Sequence, residues 1–130
     1  MRRLILLLAI LCPALIHAEL PPSAYERMQK SATEVVDIEV LRVDIEPGEV
    51  PGSQSIHLMA LVNKVARTAN VKEGDLINIR YTVSGREKGW TGPGEIPVLG
   101  EKEKTLAYLI KDAASDEFHP AAGVMSFRNF

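Results

Sequence analysis

The sequence predicts a small all-β domain: a closed or nearly closed antiparallel barrel of five strands, with a short helical arm in front. Three observations carry that expectation. Val- and Ile-rich runs alternate with a period of two, Gly and Pro clusters separate them, and no heptad or internal repeat is present. An immunoglobulin-like sandwich is the competing architecture, but it wants about seven strands, and fewer are legible here.

Residues 1–18, MRRLILLLAILCPALIHA, read as a secretory signal peptide. Arg2 and Arg3 supply the positive start, Leu4 to Leu11 is an unbroken apolar run, Pro13 breaks it, and Ala18 is a small residue at which a signal peptidase can cut. The run falls well short of the roughly 20 apolar residues of a membrane span. Cys12 follows Leu11 rather than a small residue, so it reads as a filler of the apolar segment and not as a lipoprotein cysteine. The processed chain is therefore expected to begin near Glu19, to be periplasmic or secreted, and to stay out of the membrane.

Processing takes Arg2 and Arg3 from the 15 basic residues, leaving 13 against 17 acidic ones, a net charge of about −4 with His neutral. No concentrated basic surface remains, which argues against nucleic acid as a partner. No cysteine remains either, which removes disulfides, thiol nucleophiles and thiolate metal sites. Stability is expected from an ordinary apolar core in one domain over residues 34–130, behind an arm at 19–33.

In the arm, Pro21 and Pro22 suit a helix start, and Ser23–Ala32 has room for two or three turns. Glu34–Ile45 reads as a long strand. Its polar residues change face midway: Asp37 and Glu39 share one side with Leu41 and Val43, and Arg42 shares the other with Val36, Ile38 and Val40. A face change of that kind predicts a bulge or strong coiling. Residues 46–53, EPGEVPGS, form a hairpin loop. Ser55–Ala66 is the second strand, with Ile56, Leu58, Ala60 and Val62 on one face and His57, Met59, Leu61 and Asn63 on the other. VKEGD at 71–75 is a turn in which Gly74 is placed for positive φ. Leu76–Val83 alternates most cleanly, with Ile77, Ile79, Tyr81 and Val83 inward and Asn78, Arg80, Thr82 and Ser84 outward. Residues 84–100 are rich in Gly and Pro and lack any period, the mark of a functional or mobile loop. Thr105–Ile110 is the fourth strand, Asp112–Glu117 a polar linker, and Val124–Phe127 an extended fifth segment.

This order of signals resembles the netrin-like, or tissue-inhibitor-of-metalloproteinase-like, OB-fold domains. The matching stretches are ATEVVDIEVLRV (32–43), LVNKVAR (61–67), EGDLINIRY (73–81), GPGEIPVLG (92–100) and KTLAYLI (104–110). The terminal AAGVMSF (121–127) is similar to that of small bacterial exported proteins. The resemblance implies an OB-like barrel. The animal protease inhibitors of this group act through an N-terminal cysteine on the target's zinc, held by disulfides, and the processed chain has neither. Shared fold therefore carries no protease inhibition with it.

Asn78, Arg80, Arg86, Lys88 and Trp90 are the basic and aromatic cluster of the chain. Strand faces beside loops are where OB-folds hold oligosaccharides and oligonucleotides. In an exported protein the expected ligand is a protein or an envelope glycan, engaged through the 85–99 loop and the adjoining strand face. The structural alternative is a Trp90 that lids the barrel among solvated charges. A second candidate is a soft-metal site for copper from His57, Met59, His119 and Met125, set against the usual role of strand Met as core filler. A third reading is a passive subunit that adds its sheet edge to an envelope complex. Asp37/Glu39 and Asp44/Glu46 read as solvated strand edge, since no calcium loop surrounds them. No catalytic motif, phosphate loop or dinucleotide fingerprint is present, and Ser84, His57 and Asp75 sit in no triad context. The expectation is a binding module without enzymatic activity and without a cofactor.

Overall fold

The computed structural model describes residues 20–84 and 94–128. Residues 1–18, expected as a leader, and the loop residues Arg86, Lys88 and Trp90 lie outside that range. The elements are α1 (Pro22–Ser31), β1 (Glu34–Pro47), β2 (Ser53–Arg67), β3 (Leu76–Ser84), β4 (Lys104–Lys111), β5 (Glu117–Pro120) and β6 (Phe127–Arg128), with a 3-10 turn at Gly123–Met125.

β1 to β5 close in the order β1-β2-β3-β5-β4, and β4 pairs back onto β1 to complete the barrel; β6 adds to β4. The barrel is mixed rather than antiparallel throughout: β3 and β5 run parallel, with Asn78 beside Glu117 and Ile79 beside Phe118. The reason is parity. Strand direction cannot alternate all the way round a ring of five, so one neighbouring pair must be parallel, and here it is the short β3–β5 seam.

The first strand turns at the face change that its polar residues announce. Register shifts fall at Val35/Val36, at Asp37/Ile38 and at Val40/Arg42. They let β1 pair with β4 over Glu34–Glu39 and then bend away along β2. Before the last shift Val36, Ile38 and Val40 point inward; after it Val43 packs partly into the core. On β2 and β3 the alternation holds, with Ile56, Leu58, Ala60 and Val62 facing Ile77, Ile79, Tyr81 and Val83.

The fifth barrel strand is Glu117–Pro120, not Val124–Phe127. Its one fully inward side chain, Phe118, gives no periodicity to read. The expected extended segment breaks instead at Gly123, whose φ of +52° lies in the left-handed region, and only Phe127–Arg128 returns to the sheet. Ser126 is buried there, its Oγ accepting the Ala122 N–H at 2.9 Å.

Residues 94–100 form a strap held against β3 and the core. The Ser84 hydroxyl donates to Glu95, the Tyr81 hydroxyl donates to the Pro97 carbonyl at 2.8 Å, and Leu99 is buried in the core. Burial pushes the Tyr81 phenol up to about 12, against a smaller opposing effect of a backbone hydrogen bond from Leu99. A phenol protonated in the fold and freer to ionise once unfolded contributes stability that is fully present below about 10 and lost as pH rises toward about 12. Urea unfolding across that window is expected to show the alkaline loss in the native chain and a flatter limb in Tyr81→Phe; identical limbs would remove Tyr81 as the cause.

Candidate functional site

The outward side chains of β2 and β3 fall into two rows, because pairing partners in an antiparallel ladder share a face. One row runs Asp44, His57, Arg80; the other runs Arg42, Met59, Asn78, and ends at Glu117 across the parallel seam. Together they line a groove of about 210 Å³. Four of the residues singled out in the sequence, His57, Met59, Asn78 and Arg80, thus meet on one face.

Arg80 organises this face. Its Nε donates to Nε2 of His57 at 3.2 Å and lies 3.7 Å from the Glu117 carboxylate. A guanidinium N–H can only donate, so Nε2 of His57 is the acceptor in this contact, and the Ser55 hydroxyl, 3.3 Å from the same nitrogen, competes for its one lone pair. The Arg80 backbone carbonyl accepts from Nδ1 of His119 at 3.0 Å. That contact turns Nε2 of His119 toward Asp112, 3.6 Å away. The Asp112 carboxyl is held below the usual carboxylate range, chiefly by the Ala114 N–H and then by the Ser115 hydroxyl, with His119 adding to it. At the rim, Arg42 and Asp44 form an exposed ion pair at 2.9 Å. Asn78 is exposed and, among the described residues, its amide is unpartnered.

The face is therefore a surface of fixed donors and acceptors carrying both charge signs, with the Met59 thioether as an apolar patch between Arg42 and Asn78. It can hydrogen-bond a polar ligand from several directions without importing a net charge.

Comparison of the chain with protein-family models, with curated proteins and with solved structures returns no match. The face has to be read on its own chemistry.

Met125 is not part of it. It lines a separate cleft of about 780 Å³ with Leu20, Pro22, Tyr25 and Arg128, where its carbonyl accepts from Gln29 at 2.9 Å. The four soft-ligand residues are thus split between two places, and Nε2 of His57 is already taken by Arg80. Among the described residues no three His, Cys, Asp or Glu side chains gather in a metal-binding cluster. Ser84, His57 and Asp75 serve different partners: Glu95 for Ser84, Arg80 for His57, and the Lys72 N–H for Asp75.

Sequence reading missed Glu117, Ser55, Arg42 and Asp44 as members of the face. Glu117 arrives through the parallel seam, which no local pattern announces. Asp44 reaches His57 only because the shift at Val40/Arg42 changes the pairing of β1 with β2.

Proposed function

We propose that this chain is an exported, non-enzymatic binding module that holds a polar envelope polymer, a glycan in the first instance, on the outer face of β2 and β3. The observation that carries the reading is the Arg80 network: His57, Glu117 and His119 are each fixed on Arg80, leaving the neighbouring Asn78 amide exposed beside a small polar groove. Sugars are bound by such converging donors and acceptors with a modest apolar surface next to them, and Met59 supplies the latter. The strand order, with one parallel seam in a five-stranded ring, supports the OB-like reading, in which strands 2 and 3 form the ligand face.

The loop's share is narrower than its sequence suggests. Residues 94–100 are engaged with Tyr81, Ser84 and the core, so that part of the 85–99 loop serves the fold, and Trp90 lies outside the described residues. Co-sedimentation with purified peptidoglycan tests the reading. Arg80→Ala is expected to weaken retention by about tenfold or more, because it frees His57 and Glu117 together as well as removing the guanidinium. Asn78→Ala and Trp90→Ala probe the face and the loop separately. Retention unchanged in all three variants would rule out this surface.

A further inference from the structure

The two halves of β1 are partnered differently. Val35–Glu39 pair with β2 on one side and β4 on the other. The second partner ends at Val40, whose N–H donates to the Glu103 carbonyl at 2.9 Å and whose carbonyl accepts from Lys102 at 2.7 Å. From Leu41 to Pro47 the strand pairs, among the described residues, with β2 alone. That leaves an open sheet edge, of the kind that recruits another strand. Its apolar side chains are not tucked away: Leu41 is 42% and Ile45 51% exposed.

We propose that this edge is a self-association surface, filled by β1 of a second copy of the chain in antiparallel strand addition centred on Val43. Charge selects both the occupant and the register. With the two-fold axis at Val43, Arg42 stands opposite the partner's Asp44 and Asp44 opposite the partner's Arg42; Leu41 is the extra residue of the bulge and takes no cross-strand place, while Ile45 lies on the other face beside Val43. Moving the axis by one residue sets Asp44 against its own copy, or Arg42 against its own copy. Parallel in-register addition opposes every charge to its like. Among these alignments only the one on Val43 therefore satisfies both charges, and it is self-complementary.

Within one chain Arg42 already reaches Asp44 at 2.9 Å along its own strand. That pair is exposed and weakly held, so it exchanges readily for two cross-strand pairs. Pro47 lacks an N–H and stops the ladder from running into the turn. The contact is isologous, so it closes at two copies and does not propagate. Arg42 and Asp44 also border the groove on β2 and β3, so a dimer of this form sets two grooves side by side on one continuous sheet face. The inference does not depend on what the groove binds.

Sedimentation velocity of the processed chain across a wide concentration range tests it. The mass is expected to rise from one chain to two and no further. Arg42→Asp and Asp44→Arg, each turning two attractive pairs into two repulsive ones, are expected to weaken dimerisation by about tenfold or more, and the double reversal to restore it. Ile45→Lys, a charge on the apolar side of the edge, should also abolish it. Circular dichroism confirms that these exposed substitutions leave the barrel folded. A single-chain mass at every concentration overturns the proposal, as does a dimer indifferent to the single reversals or not rescued by the double one.

Discussion

Glu34→Ala is expected to destabilise the domain by about 2–4 kcal/mol, a large effect for one surface-type residue at a strand start. Glu34 is 0% exposed. Its Oε1 accepts from the Ala69 N–H at 3.1 Å and from the Asn70 side-chain amide at 2.8 Å, and its other oxygen is hydrogen-bonded by the Thr33 hydroxyl. These bonds tie the start of β1 to the connection between β2 and β3, which is itself tightened by the Thr68 hydroxyl against Val71. Truncation leaves three part-buried donors without their acceptor and a cavity where the fully buried side chain lay, and unmet donors cost more than the formed bonds contribute. Glu34→Gln retains one acceptor oxygen and should recover part of the loss. Urea midpoints at constant slope measure both; an alanine variant as stable as the native chain would show that the connection holds without this carboxyl.

Phe127→Ala is expected to cost about 3–5 kcal/mol, the range for truncating a buried aromatic ring. Phe127 belongs to the short β6, opposite Ala107 of β4, and its ring tilts at 50° over Tyr81 with centroids 5.9 Å apart. It is the anchor that seats the chain's last turn against the barrel. The Tyr108 N–H donates to the Ser126 carbonyl at 2.8 Å, the Ala121 N–H to the Tyr108 carbonyl at 2.9 Å, and Val124 packs on Gly94. The AAGVMSF stretch is thus fastened to the barrel through β4 and the core. The alanine variant should unfold at lower urea and also show earlier proteolytic loss of the C-terminal turn. A midpoint shift below about 1 kcal/mol would mean that the surroundings collapse around the missing ring.

The barrel was legible where one face is buried and the other wet. Alternation located β3 to within a residue, set the inward residues of β2, and flagged the bend in β1 through its misplaced polar residues. It failed where a strand is too short to alternate. β5 rests on Phe118 alone, and β6 is two residues long. The strap at 94–100 looked like free loop because its order comes from contacts distant in sequence, Leu99 in the core and Pro97 on Tyr81, which no local pattern encodes. Glu34 was hidden for a related reason: a carboxylate in a strand reads as solvated until its three partners are known. The candidate site was half visible. Asn78 and Arg80 announced themselves by facing outward, but their link to His57 and Glu117 is a matter of register, and register was not available from residue types.

An odd ring has one seam unlike the others, and in this barrel it is also the shortest, with two residue pairs between β3 and β5. Arg80 and Glu117 face each other across it, and His119 reaches over it to the Arg80 backbone. If the proposed face takes a ligand, a guest that competes for Arg80 would weaken this seam, and one that bridges the two strands would tighten it.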